Sequence, residues 1–381
     1  MYVSNLNPYQ PTSSSPYEIT AYAAGANGQL TTVPGSPFNQ DVFSLAASNN
    51  YLIATAASEP EINTYTIGSN GAITLASQFN YAQALGYQSS NNTICSSVEG
   101  LVFDRTGQSL YGGVNNIQCS NNNAIASFAV DTSNGSVSYL GNANIGYEAS
   151  EAISVLGNND YAYSALFDAC MYGGITSFQR SSSGLLSLFD AVVTPEFGPP
   201  APPGATSSSV RQPSYAPGMT ATDTTNDVAM AEYPCYALGG VAATQVQLAT
   251  YTADASGNLT TISTYATMPA TAVSTPLDMV AASSGAFLAV GGIGGLQVFN
   301  FNGPAPITVL TGLLTTDNIN QLAWDNSNHL YAITLSGGAY GSNAVNPGKL
   351  YVFTVTSAGA TEAPGSPYTI QSPEQIAVQS E

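Results

Sequence analysis

Ser372-Pro-Glu-Gln-Ile-Ala-Val-Gln-Ser-Glu381 and Met1-Tyr-Val-Ser-Asn5 are the two ends of the chain, and reading them together decides the fold. Ile376-Ala-Val378 and Met1-Tyr-Val3 each have the β-branched, alternating character of a short strand. Neither has a partner close by in sequence. Elsewhere the same two pieces follow one another as strand, tight turn, strand, in Leu101-Val-Phe-Asp-Arg-Thr-Gly-Gln-Ser-Leu-Tyr-Gly112 and in Leu322-Ala-Trp-Asp-Asn-Ser-Asn-His-Leu-Tyr-Ala332. The C-terminal segment therefore reads as the first strand of a hairpin whose second strand is the N-terminus. A chain built that way is a closed ring, which leaves no end sheet exposed.

The repeat that fills the ring has a period near 55. Val33-Pro-Gly-Ser-Pro-Phe38 and Ala363-Pro-Gly-Ser-Pro-Tyr368 are one phrase written twice, 330 residues apart, which leaves room for six intervals of about 55. Each unit reads as four short strands, a to d. The first three strands of the last unit are expected at Leu322–Trp324, Leu330–Thr334 and Leu350–Val355, with a weak fourth near Ala360–Ala363. The count is seven, so the expected fold is an all-β, seven-bladed β-propeller spanning 1–381 as one domain. Blade one combines Ile376–Val378 with Tyr2–Val3, Glu18–Tyr22 and Gln29–Val33.

The c–d turns are short and rich in Gly, Asn and Ser (Ser69-Asn-Gly71, Ser133-Asn-Gly135, Ala255-Ser-Gly257), as tight connections require. The long segments are the b–c loops and the d–a crossovers. Strand alternation puts both of those classes on one face of the disc and the short turns on the other. Function is expected on the long-loop face.

Composition narrows the partners. Charged residues are 7% of the chain, against about 25% in ordinary domains. Four Lys and Arg oppose 23 Asp and Glu, for a net charge of −19. Nucleic acid and anionic membrane are excluded as partners by that sign. No run of 18 apolar residues suggests a membrane-spanning helix. Cys95, Cys119, Cys170 and Cys235 lie in Gly/Asn/Ser/Tyr-rich loops with no CxxC spacing. They read as disulfides, Cys95 with Cys119 and Cys170 with Cys235, in an exported protein whose leader has been removed.

The repeated phrase, with its Gly-x-Leu-Thr lead and the Ile-Ala-Val and Leu-Tyr hairpins, resembles the bacterial lactonase or YVTN-type propellers, which include proteins similar to 6-phosphogluconolactonase and carboxymuconate cyclase. That resemblance implies seven blades and a lactone hydrolase with His, Arg and Glu at the channel mouth. This chain does not match that constellation residue by residue. His329 and Arg105 fall in a–b turns, Arg180 follows a c strand near the same face, and Arg211 alone lies on the long-loop side. Binding a phosphorylated sugar acid needs converging cations, and one Arg is a poor supply.

Two constellations remain. Aligned on their apolar pairs, the innermost strands place Asp41, Glu99, Glu151, Pro217, Leu277, Asn320 and Glu374 at one position, with Asp278 one further on. An acidic ring there, from Asp41, Glu99, Glu151, Asn320 and Glu374, could hold Ca²⁺. Equally, each carboxylate could accept backbone N–H groups. Tyr87, Tyr147, Tyr172, Tyr215, Tyr236 and Tyr340, with Tyr81 and Tyr233, fall in or beside the long loops. They would stack on carbohydrate, take a small molecule, or anchor an extracellular protein. Alternatively they pack the loops onto the disc. Two functions follow: a non-catalytic binding or scaffold module, or a lactonase-like hydrolase or lyase, perhaps metal-assisted.

Overall fold

Short apolar runs punctuated by Gly, Asn and Asp become short strands, and every one of them lies in one of seven sheets. The computed structural model describes residues 1–6, 17–40, 42–48, 50–56, 59–85, 97–115, 123–146, 153–165, 174–195, 215–234, 245–334 and 347–379. Taken a to d, blade one is Pro373–Ala377, Tyr2–Leu6, Tyr17–Ala24 and Leu30–Thr32. Blade two is Ser44–Ala47, Tyr51–Thr55, Glu61–Ile67 and Ile73–Asn80. Blade three is Ser97–Phe103, Ser109–Asn115, Asn123–Val130 and Val137–Gly146. Blade four is Ser154–Val155, Tyr161–Ala165, Ile175–Arg180 and Leu186–Phe189. Blade five is Tyr215–Thr222, Asp227–Pro234, Gln247–Ala253 and Leu259–Thr260. Blade six is Thr275–Ala281, Phe287–Ile293, Gly295–Asn300 and Thr308–Thr315. Blade seven is Ile319–Trp324, His329–Thr334, Pro347–Thr356 and Gly359–Glu362.

The ring closes as the termini imply: Tyr2 stands opposite Ala377 and Val3 opposite Ile376, antiparallel. An apolar cluster fills each of the seven junctions between neighbouring blades. The one at the seam joins Tyr331, Ile333, Leu350 and Val352 of blade seven to Val3, Leu30 and Ile376 of blade one. Strands b are covered on both faces, so they read as unbroken buried runs such as Tyr51–Thr55. Trp324 of blade seven is half-buried. Its ring stacks on Phe287 at 6.3 Å and its Nε1 donates to the Val280 carbonyl of blade six at 3.2 Å.

Three blades exceed four strands, and in two of them the repeated Pro-Gly-Ser-Pro phrase is the cause. In blade one it ends strand d at Val33, turns through Gly35 (φ 86°), and sends Phe38–Asn39 back along strand c. In blade seven Gly365 (φ 87°) does the same for Tyr368–Gln371. Each turn interrupts the ladder, and its serine fills the gap. Ser36 Oγ accepts the Ala21 amide at 2.9 Å, and Ser366 Oγ accepts the Val352 amide at 3.0 Å. Positive φ at the glycine is what makes the turn affordable. In blade five the extra strand, Val193–Thr194, runs parallel to Leu259–Thr260 on the outer edge.

A second device explains the recurrent Tyr in strand b. The hydroxyls of Tyr2, Tyr111 and Tyr163 donate to the carbonyls of Gly71, Gly184 and Gly257, at 3.0, 2.9 and 2.7 Å. Each acceptor glycine sits in the c–d turn of the next blade with φ between 78° and 93°. The tyrosine thus ties blades one, three and four to the turn of the next blade, and the glycine supplies both the left-handed turn and the space. A Cβ on Gly257 would stand 2.6 Å from the Tyr161 ring.

Candidate functional site

Strand a of each blade runs beside the central channel from the long-loop face towards the turns, so its first residues are those nearest the channel mouth. These strands carry β-bulges, which place one extra residue opposite the partner strand. In blades five, six, seven and one the extra residue is Gly218, Leu277, Asn320 and Glu374. In blade three the bulge comes one residue later, at Gly100 (φ 58°), so Glu99 is paired in the ladder opposite Gly113. Glu99 therefore does not share the backbone setting of Asn320 and Glu374, and the ring inferred from apolar alignment is out of step at blade three. A bulge shifts the pleat without leaving a mark in the apolar pattern.

Asn320 is turned to its neighbour, its Nδ2 donating to the Glu374 carbonyl at 2.9 Å. Asp41 and Glu151 lie outside the described residues. Among the described residues no three His, Cys, Asp or Glu side chains are arranged to hold a metal.

The residue after the bulge is the more telling position. Asp278 Oδ2 accepts the Leu322 amide of blade seven at 2.7 Å. Gln321 Oε1 accepts the Ile376 amide of blade one at 2.6 Å, while its Nε2 donates to Gln375 at 3.2 Å. In blade two, Ser44 Oγ accepts the Leu101 amide of blade three at 3.1 Å. These side chains clip adjacent inner strands together around the channel. Asp278 differs from the others because it is ionisable. It is half-buried, and loss of hydration pushes its carboxyl up to about 6, against the pull of the Leu322 and Met279 amides.

A second carboxyl, Glu232, lies within the apolar strand Asp227-Val-Ala-Met-Ala-Glu-Tyr-Pro234, whose other acid, Asp227, stands at its turn end, and sequence reasoning passed over it. Glu232 is wholly buried, on the face of strand b that carries Val228 and Met230 into the junction of blades four and five. The Tyr251 hydroxyl donates to its Oε1 at 3.4 Å, and its Oε2 has no partner. Burial pushes it up to about 7.

The described cations are held elsewhere. Arg105 leaves the a–b turn of blade three and donates to the carbonyls of Val155, Thr222 and Asp223, at the turn-face ends of blades four and five. Arg180 pairs with buried Asp104 at 2.6 Å. His329 is buried, with Nδ1 2.7 Å from Asp325 Oδ2. Lys349, beside the long-loop face, pairs with Asp317 at 2.6 Å.

Of the tyrosines, Tyr81 is buried in the junction of blades two and three. Tyr233 packs against the junction of blades five and six, its hydroxyl 3.4 Å from the Pro276 carbonyl of blade six. Both are packing residues. Tyr215 begins strand a of blade five. Tyr87, Tyr147, Tyr172, Tyr236, Tyr340, Arg211 and all four cysteines lie outside the described residues.

No protein-family model matches the chain, and no curated protein matches it. Solved structures do. A protein from Lactobacillus plantarum superimposes with TM-score 0.60 at 12% identity, over 99% of this chain and 98% of that one. A protein from Sulfolobus tokodaii, described as a hypothetical selenium-binding protein, gives 0.58 at 10% identity over 98% and 91%. The periplasmic gluconolactonase of Pseudomonas aeruginosa gives 0.50 at 14% identity over 82% and 81%. At such identities these likenesses establish the fold alone: the chain is a seven-bladed β-propeller whose structural neighbours include lactonase propellers.

Proposed function

We propose that this protein is a lactonase-like hydrolase that opens a small lactone or sugar-acid ring at the long-loop mouth of the channel. The observation that carries the reading is Asp278, a half-buried carboxyl on an innermost strand whose proton affinity is raised to about 6. A base in that range is largely ionised at neutral pH yet basic enough to take a proton from water. In the reaction, water oxygen attacks the lactone carbonyl as Asp278 takes its proton. The ring C–O bond then breaks as Asp278 passes that proton to the leaving oxygen, and the hydroxy acid releases a proton to solvent on ionising. The gluconolactonase among the structural neighbours adds support.

From sequence alone the binding or scaffold module stood first. Support for it is now weaker, because two of the three described tyrosines of that set, Tyr81 and Tyr233, serve packing.

The test is hydrolysis of a panel of lactones in a pH-stat, with Asp278→Asn as control. Asparagine keeps an acceptor for the Leu322 amide but is no base. We expect kcat/KM to fall by roughly 100-fold or more, with the wild-type rate rising through about pH 6. No turnover of any lactone by the wild type would reject the hydrolase and leave the binding module. Full activity in the variant would reject Asp278 as the base.

A further inference from the structure

We infer that the lactone taken at this site is uncharged, and that a phosphorylated sugar lactone is a poor substrate; the inference rests on the hydrolase reading. The chain has four Lys and Arg and one His, and the structure shows what most of them do. Three are on the turn side. Arg105 gives Nε and Nη2 to backbone carbonyls of blades four and five, and its Nη2 also donates to Thr222 Oγ1 at 2.7 Å. Arg180 spends Nη2 on Asp104 and Ser109 and Nε on Tyr111. His329 is locked to Asp325. Among the described residues only Lys349 is on the other side, and it pairs with Asp317, which also accepts the Tyr351 hydroxyl at 2.7 Å.

A phosphate monoester brings a charge of nearly −2 at neutral pH and is held in proteins by converging cationic or amide donors. Here it would approach a molecule of net charge −19, through a channel whose inner strands carry Glu99, Asp278 and Glu374. Fields of that sign slow the arrival of like-charged ligands by roughly 10- to 1,000-fold. A neutral lactone meets no such barrier. Its opening creates a carboxylate and releases a proton, so the product, unlike the substrate, carries a net charge, and the same field favours its departure.

The experiment compares gluconolactone with its phosphate monoester on the full chain, by proton release at neutral pH, at about 0.01 M and about 0.15 M salt. Raising salt over that range shortens the screening length from about 30 Å to about 8 Å. We expect kcat/KM at least ~10-fold higher for the neutral lactone at low salt, with that ratio shrinking as salt rises. Equal or faster turnover of the phosphorylated lactone overturns the inference and leaves the hydrolase reading standing. A preference for the neutral lactone that does not respond to salt overturns the electrostatic cause. Turnover of neither, while other lactones are opened, overturns the substrate class; turnover of no lactone at all removes the hydrolase reading and the inference with it.

Discussion

Replacing Glu232 by glutamine should abolish the pH dependence of one junction. Glu232 is wholly buried between blades four and five, with one oxygen near the Tyr251 hydroxyl and the other without a partner. In the fold it ionises near pH 7, and in the unfolded chain at its ordinary 4.5. Between these values the folded state holds the extra proton, so stability falls as pH rises through the window and is fully lost above it. Charging it costs the fold roughly 2–3 kcal/mol between pH 5 and pH 8. For a chain of 381 residues the unfolding entropy is roughly 0.8 kcal/mol/K, so the wild-type Tm should drop by about 3 °C from this group alone. Glutamine keeps an oxygen for Tyr251 but brings an NH₂ with nothing to bond, at a cost of about 1–3 kcal/mol independent of pH. The variant should therefore melt below the wild type at pH 5 and gain on it steadily towards pH 8. Asp278 drifts in the same direction in both proteins, so the difference between their Tm-against-pH curves isolates Glu232. Parallel curves from pH 5 to pH 8 would refute the reasoning.

Tyr163→Phe removes the 2.7 Å bond to Gly257 and leaves a buried carbonyl unsatisfied. It should cost about 1–3 kcal/mol in denaturant melts, whereas a loss below about 0.3 kcal/mol would show that the blade-to-turn tie is idle. Deleting 372–381 strips blade one of its inner strand and should lower Tm and solubility sharply; a truncated chain that melts with the wild type would contradict closure at the seam. With so few cations to lose as salt-bridge partners, and with Glu232 and Asp278 both favouring the protonated fold, the protein should stay folded near pH 3. Collapse of its near-ultraviolet circular dichroism by pH 4 would refute that. Chelator at pH 7 should leave Tm unchanged unless Asp41 and Glu151 complete a cation site, in which case calcium restores the lost stability.

The architecture was legible because it is written in repetition. The paired ends, the Pro-Gly-Ser-Pro phrase written twice and the Tyr of strand b each have a structural counterpart in a ladder, a split outer strand or a hydroxyl-to-glycine bond. The site was less legible. Aligning apolar pairs assumes an unbroken pleat, and the bulge at Gly100 in blade three displaces Glu99 from the register of Asn320 and Glu374. Asp278 was visible only as a residue one step off the ring. Its raised proton affinity comes from burial by neighbouring strands, which no local pattern encodes. Glu232 is the sharper case: an acid inside an apolar run marks an interior carboxyl, but not which junction it enters or that one oxygen goes unpartnered.

The seam of blade one also dictates how the molecule answers tension. Tyr2 lies opposite Ala377 and Asn5 opposite Pro373, so both ends of the chain leave the ring at the same rim. A pull on Met1 and Gln379 loads the first pair of the ladder before the others, and the strands peel like the two sides of a zip. Strands pulled from opposite ends would share the load across every bond at once. Tethered through its termini, the disc would therefore yield first at this seam, at low force, with blades two to six still folded.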